Sequence, residues 1–151
     1  MPAAEQKDTV RALLAETLQE ECSMEVMQSL HGKVAELIRE QQEDKFAEPV
    51  SLTREDVAAM LKESGVSDQK LTAFRAEMGE AFGPWAELPA VNLVSPREFK
   101  VSTPSVSIKV DPEHADLIST RTIDGARYIM ILADGAVEVN GVNIAFEAEE
   151  E

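Results

Sequence analysis

Residues 121–146, RTIDGARYIMILADGAVEVNGVNIAF, decide the fold class of the chain. Three two-residue turn signals occur there, at Asp124-Gly125, Asp134-Gly135 and Asn140-Gly141. Asp-Gly or Asn-Gly between runs of β-branched residues is the strongest short-range signal for a β-hairpin. The run Tyr128–Leu132 is apolar at every position, which is typical of a central strand buried on both faces. The stretch therefore predicts an antiparallel β-meander around a central strand at Tyr128–Leu132.

Upstream of Pro89 the apolar residues recur with the period of an α-helix. A first helix from about Asp8 has an apolar stripe formed by Val10, Leu13, Leu14, Thr17 and Leu18. A second helix, capped by Ser23, has a stripe formed by Met24, Met27, Leu30, Val34, Leu37 and Ile38. Gly32 inside it either marks a close approach to the first helix or has no special role. We expect the two helices to form an antiparallel hairpin.

The third and fourth helices have the clearest boundaries in the sequence. Thr53 and Asp56 have the spacing of a capping box, in which each side chain accepts from a main-chain N–H near the helix start. Gly65 is placed to end this third helix in the left-handed conformation. Ser67 follows as the cap of a fourth helix, which Gly83-Pro84 ends. The pair has the spacing of a DNA-binding helix-turn-helix, but its second helix is not basic, so we favour a structural helix hairpin.

The predicted fold is α+β, with N-terminal helices in two helical hairpins followed by a C-terminal antiparallel β-meander. The predicted divisions are a helical hairpin at 1–48, a capped helix pair at 49–88, an antiparallel β subdomain at 89–146 and an acidic tail at 147–151. Such a sheet needs a cover for its apolar face, supplied by the helical half or by a second copy of the chain. We expect Trp85 to fill the junction between helices and strands.

Composition argues against several partners. The chain of 151 residues has 29 acidic and 14 basic residues, a net charge of −15. This charge repels phosphate backbones and anionic bilayers, so we expect neither nucleic acid nor membrane as a partner. Cys22 is the single cysteine, which excludes an intrachain disulfide. The N-terminus has no apolar signal-peptide core, and no apolar run approaches the length of about 20 residues that a membrane span needs. We expect a cytoplasmic protein.

The strongest metal-site candidate is the run 111–116, DPEHAD. Carboxylates and imidazole are competent metal ligands, which makes its four polar side chains candidates. These candidates are Asp111, Glu113, His114 and Asp116. The run lacks the later glycine and glutamate of an EF-hand loop, and Asp-Pro-Glu is equally the start of a capped helical turn. We favour the capped turn, and predict no metal, no cofactor and no catalytic residue.

Three other patterns point only weakly to function. Cys22 and His31 are nine residues apart, which separates them on a helix too far for a nucleophile–base pair. The acidic stretch Glu16–Glu25 is either a functional surface or a solvated helix face. A nucleic-acid regulator would need the basic residues of the C-terminal half on one face of the sheet. These basic residues are Arg97, Lys100, Lys109, Arg121 and Arg127.

Several short runs resemble an uncharacterised bacterial family. The matching runs are Asp8-Thr9-Val10 through Glu20-Glu21-Cys22, Thr103-Pro104-Ser105-Val106, Val110-Asp111-Pro112, Ala115-Asp116-Leu117, Ile123-Asp124-Gly125 and Val137-Glu138-Val139-Asn140-Gly141. Together they resemble the C-terminal part of a domain of unknown function found in longer cytosolic proteins of anaerobic Gram-positive bacteria. The resemblance implies an additional N-terminal region in full-length relatives, and it implies no activity, cofactor or site residues.

The leading functional hypothesis is a non-catalytic protein-interaction or assembly module of a larger cytosolic bacterial protein. Its partner would be another protein, another domain or a second copy of the chain. The alternative is a domain that binds a small molecule or a metal, with catalysis left open. That alternative predicts a pocket near Trp85 into which His114 or Asp116 points.

Overall fold

The computed structural model describes residues 2–149. Helices occupy the N-terminal half and antiparallel strand pairs the C-terminal half, which confirms the α+β class. The α-helices are α1 (Ala3–Leu18), α2 (Met24–Glu43), α3 (Arg54–Glu63) and α4 (Asp68–Phe82). The strands are β1 (Ser51–Thr53), β2 (Glu87–Pro89), β3 (Phe99–Ser102), β4 (Ser107–Val110), β5 (Ile118–Ile123), β6 (Ala126–Ile131), β7 (Glu138–Val139) and β8 (Val142–Asn143). Short 3₁₀ turns cover Gln19–Glu21, Ala90–Asn92 and Pro112–Leu117.

The chain divides into two compact units, one ending at Ala115 and the other beginning at Asp116. We refer to them as the helical unit and the strand unit. The helical unit contains α1–α4 and β1–β4, and the strand unit contains β5–β8. The predicted apolar stripe of α1 is the face that is buried, and this helix packs extensively along α4. Leu18, Leu61, Leu71 and Phe74 are completely inaccessible to solvent.

The predicted starts of α3 and α4 and the predicted end of α3 are confirmed by their capping contacts, whereas α1 begins at Ala3, five residues before the predicted start. Thr53 Oγ1 accepts from the Asp56 N–H at 3.1 Å, and Asp56 Oδ2 accepts from the Thr53 N–H at 2.9 Å, which completes the capping box. Gly65, with φ of 103°, ends α3 in a Schellman arrangement, in which the Val66 N–H donates to the Leu61 carbonyl at 3.0 Å. The Ser67 hydroxyl caps α4, as predicted.

The expectation for Trp85 is wrong. Its side chain is 88% exposed and fills no junction. The chain leaves α4 at Gly83 and turns outward through Pro84-Trp85 before it enters β2. The buried positions near this turn are taken instead by Leu52 and Leu88, which pair across β1 and β2.

The single meander is also wrong: the strands form four separate two-stranded antiparallel pairs among residues 2–149. Asp124-Gly125 and Asn140-Gly141 do form tight hairpin turns, because both residues of each turn adopt the positive φ that a type I′ turn requires. At Asp134-Gly135 only the glycine has positive φ, and the segment joins no ladder. As a result β6 pairs with β5 alone, and the predicted central strand is the side of a two-stranded ribbon.

Candidate interaction surface

The β5–β6 hairpin, which we call the ribbon, has an unusual distribution of apolar residues. Residues paired across the two strands lie on the same face, so the register assigns every side chain to one of two faces. On β6, Ile129 and Ile131 lie on one face, and Tyr128 and Met130 lie on the other. On β5 the positions between Ile118 and Ile123 are Ser, Thr, Arg and Thr. Strand β6 is therefore apolar on both faces, whereas β5 is largely polar.

The apolar side chains of the strand unit are exposed. All six residues of β6 are exposed, and Ile131 and Leu132 reach 55% and 66%. The large exposed apolar side chains of this unit are Ile123, Tyr128, Ile129, Met130, Ile131, Leu132, Val139, Val142, Ile144 and Phe146. Soluble monomers seldom expose contiguous apolar patches beyond a few hundred Å², and larger patches mark sites of protein association. The strand unit therefore exposes apolar side chains along β6 and in the segment that follows it.

Along one edge of β6 the main-chain N–H and C=O groups are not bonded to another strand of the described chain. The Leu132 N–H donates to the Leu117 carbonyl at 2.9 Å, which identifies the hydrogen-bonded pairs of the ladder. By alternation, the N–H and C=O groups of Tyr128 and Met130 bond to β5, and those of Arg127, Ile129 and Ile131 point away from it. Within residues 2–149 no strand pairs with this outer edge. An edge of this kind is a template for a further strand.

The basic residues of the C-terminal half do not gather on one face of one sheet. Arg121 pairs with Tyr128 and Arg127 pairs with Thr122, so the two guanidinium groups start from opposite faces of the ribbon. Lys100 and Lys109 lie opposite each other on β3 and β4. Lys109 also approaches Glu98, with 3.9 Å between ammonium and carboxylate. Arg121 and Arg127 therefore do not share a face of the ribbon, and Lys100 and Lys109 belong to a different strand pair.

Two of the four metal candidates in 111–116 have structural contacts. Asp111 Oδ1 accepts from the Glu113 N–H at 3.0 Å, as expected for the start of a capped turn. Glu113 accepts from Arg39 of α2 at 2.9 Å. The His114 and Asp116 side chains are exposed. In the described part of the chain, no three His, Cys, Asp or Glu side chains converge into a metal-binding group.

Cys22 and His31 have separate structural surroundings. Burial raises the pKa of the Cys22 thiol, which disfavours the reactive thiolate form. The His31 ring contacts Phe99 edge-on at 5.4 Å, and its Nε2 lies 3.0 Å from the Glu98 carbonyl oxygen. Burial lowers the pKa of His31, opposed by hydrogen bonds to the Ser95 and Glu98 main chain and assisted by the positive charge of Arg39. The burial of the thiol and the main-chain contact of the imidazole both fit structural roles.

Part of the acidic stretch Glu16–Glu25 contacts the start of α4. The Glu21 carboxylate accepts from both the N–H and the hydroxyl of Ser67, each at 2.7 Å. These two hydrogen bonds, with a smaller contribution from Lys70, lower the pKa of Glu21. Glu20 lies 3.5 Å from the Lys70 ammonium. Two of these carboxylates thus have structural partners in the helical unit, which weakens the hypothesis of a functional acidic surface.

A groove with a volume of about 810 Å³ lies between α2 and α3. We call it the α2–α3 groove, and its lining residues are Gln28, Ser29, Gly32, Lys33, Glu36, Leu37, Leu52, Asp56, Ala59, Met60 and Glu63. Lys33 and Glu63 approach to 3.4 Å, one from each helix. A Cβ at Gly32 would meet no atom within 4 Å, so this glycine does not mark a close helix contact. This groove was not predicted from the sequence, in which its only signal is Gly32 between two polar residues.

The surroundings of Trp85 include a smaller cavity of about 280 Å³. It is lined by Thr53, Arg54, Glu55, Pro84, Trp85 and Glu87. Neither His114 nor Asp116 is among these residues, so the predicted combination of a Trp85 pocket with those two side chains is wrong.

Comparisons with known proteins give a family without an activity. No curated protein matches the chain, and no solved structure matches it. Within the described residues, every helix is too short or too polar to span a bilayer. A family model matches residues 1–142, which is nearly the whole chain. The chain therefore belongs to the family described as Domain of unknown function (DUF4317).

Proposed function

We propose that this domain is a non-catalytic protein-interaction or assembly module, and that the ribbon is its interaction surface. The observation that carries the proposal is the exposure of an entire strand, β6, that is apolar on both faces. In a finished sheet such a strand is covered on both sides and flanked by neighbours. A protein partner would supply what β6 lacks.

The exposed apolar surface of the ribbon is part of a larger set of exposed apolar side chains in the strand unit. Five of the ten large exposed apolar side chains of the strand unit lie on the ribbon and are divided between its two faces, and the other five follow β6 in sequence. The charge of this region also permits association: residues 116–146 contain four carboxylates and two guanidinium groups. Most of the excess negative charge of the chain lies elsewhere.

A site-specific photocrosslink in living cells tests this proposal. Tyr128→p-benzoylphenylalanine places the reactive group on β6, and Trp85→p-benzoylphenylalanine places it on an equally exposed aromatic position of the helical unit. We expect light-dependent protein adducts from position 128 in greater yield than from position 85, with either a second copy or another protein. Absence of adducts at position 128, or equal yields at the two positions, would overturn the proposal.

A second candidate function is the binding of a small amphiphilic cation in the α2–α3 groove. The observation that favours it is the lining of the groove, which combines apolar residues, including Leu37 and Met60, with three carboxylates and one ammonium group. The carboxylates are Glu36, Asp56 and Glu63. Titration with octylammonium, followed by NMR, should shift groove resonances in the wild type and not in Gly32→Leu, which fills the open space. Equal shifts in both proteins, or none in the wild type, would contradict it.

The biological setting that we propose is a cytosolic bacterial protein of which this domain forms the C-terminal part. The support for this is the resemblance of the runs around Asp8–Cys22, Thr103–Val106 and Val137–Gly141 to such proteins. In that setting the interaction surface would serve assembly of the larger protein.

A further inference from the structure

We propose that the partner of β6 is β6 of a second copy of this chain, paired antiparallel about a two-fold axis at Ile129. The inference rests on the proposed function and names its partner. The pairing would create a four-stranded sheet in the order β5, β6, β6 of the second copy, β5 of the second copy. Strand β6 would then be flanked by a strand on each side, and each cross-strand pair would cover part of its apolar surface.

The outer edge of β6 determines which registers are available. Its outward main-chain groups belong to Arg127, Ile129 and Ile131. When the axis passes through Ile129, Ile129 pairs with its own copy and Arg127 pairs with Ile131 of the second copy. This register satisfies the outward N–H and C=O groups of all three residues. Moving the axis by one or two residues leaves some of these groups without a partner.

Side-chain chemistry favours the same register. An axis at Arg127 would place two guanidinium groups directly opposite each other, which is unfavourable. With the axis at Ile129, each Arg127 lies beside an isoleucine, and the two Ile129 side chains meet on one face. On the other face Tyr128 lies opposite Met130 of the second copy, a favourable sulfur–aromatic pairing. The apolar side chains of β6 are thereby joined into a continuous patch on each face of the four-stranded sheet.

The two edges of the ribbon differ, which makes the choice of β6 specific. Between Ile118 and Ile123, β5 has the side chains of Ser119, Thr120, Arg121 and Thr122. Pairing through β5 would bring Arg121 and these hydroxyl groups to the centre of the new sheet and leave β6 on its outside. The β6 edge instead places the polar strand outside, where its side chains meet water. Antiparallel sheets are commonly arranged with polar strands at their edges.

Disulfide trapping together with mass measurement tests this inference. Cys22→Ser removes the native thiol, and Ile129→Cys then places one thiol at the proposed axis. Paired residues of an antiparallel ladder have Cα atoms about 5.5 Å apart, within the range that a disulfide spans. Thr120→Cys in the same background is the matched control. Thr120 lies on β5, where it pairs with Ile129 of β6, so the two side chains share one face of the ribbon. Light scattering after size exclusion measures the mass of the unmodified chain.

We expect a mass of twice 16.5 kDa, and oxidation of the Ile129→Cys protein to a disulfide dimer at least tenfold faster than the Thr120→Cys protein. A dimer that crosslinks equally well at both positions, or better at Thr120→Cys, would overturn pairing through β6 and leave the interaction function standing. A monomer at every concentration would overturn the second copy as partner. The photocrosslink at position 128 then decides the proposed function separately, since adducts with another protein would support it and no adduct would end it.

Discussion

The helical unit and the strand unit of this chain differ in the burial of their apolar side chains. In the helical unit, apolar stripes on four helices meet in a core where Leu61, Leu71 and Phe74 are fully buried. In the strand unit, Tyr128, Ile131 and most other large apolar side chains are exposed. Burial of apolar surface is the main force that drives folding. The helical unit therefore has its own core, whereas the proposed pairing of β6 would give the ribbon cross-strand contacts that it lacks.

Truncation of an aromatic side chain in each unit should give the largest contrast. Phe74→Ala leaves a cavity in a filled core, so we expect a loss of about 3–5 kcal/mol in the free energy of unfolding. Tyr128→Ala removes a ring that is half exposed. At low protein concentration this variant should change the free energy of unfolding by about 0.5 kcal/mol or less. Urea denaturation followed by circular dichroism measures both. Similar losses for the two variants would break the contrast between the units.

Loss of the α3 cap should be the next largest effect. Thr53→Ala removes the hydroxyl that accepts from the Asp56 N–H, and should lower the free energy of unfolding by about 1 kcal/mol. Thr120→Ala is the control, since this threonine is exposed on β5 and caps no helix. The same urea titration measures both variants. If the two variants lose the same free energy of unfolding, the capping hydrogen bond of Thr53 does not stabilise α3.

Two glycines on helices should respond differently to alanine. Gly32 lies within α2, and a Cβ there would enter open space, so Gly32→Ala should raise stability by about 0.5–1 kcal/mol. At Gly79 on α4 the added Cβ would approach the Arg54 guanidinium, which donates to the Arg75 carbonyl. Gly79→Ala should therefore stabilise less than Gly32→Ala or destabilise. Thermal unfolding of both variants compares the two changes in stability. A larger increase in stability for Gly79→Ala than for Gly32→Ala would contradict the prediction.

The smallest effect that we predict is a pH dependence from His31. Its pKa in the folded state is lowered below the ordinary value of about 6.5, so the unfolded chain binds the proton more readily. Its contribution to stability is therefore complete above pH 6.5 and decreases as the pH falls below that value. The difference in melting temperature between pH 8 and pH 5.5 should be larger for the wild type than for His31→Gln. An equal difference in both proteins would exclude His31 as the cause.

The sequence predicted the helical unit well because its signals are local. The box at Thr53 and Asp56, the left-handed Gly65 and the cap at Ser67 each depend on residues within one turn. The stripe of α1 was also predicted residue by residue. Helix periodicity and capping are determined by neighbours in sequence, so they are visible without a structure.

The strand unit was predicted less well because sheet order depends on contacts between distant segments. The Asp124-Gly125 turn was local and correct, but the sequence did not show that Asp134-Gly135 would fail to join β6 to another strand. The α2–α3 groove was invisible for the same reason, since it is formed by two helices. The apolar run Tyr128–Leu132 has the composition of a central strand, and its exposure at a sheet edge is the basis of the proposal.

Residue-resolved amide exchange at two protein concentrations tests the central claim most directly. The amides of Tyr128 and Met130 bond within the ribbon and should be protected at both concentrations. The amides of Arg127, Ile129 and Ile131 point outward, and we predict that they exchange quickly in dilute solution and become protected as the concentration rises. Rapid exchange of these three amides at every concentration, while Tyr128 and Met130 stay protected, would contradict pairing of β6 with a second copy.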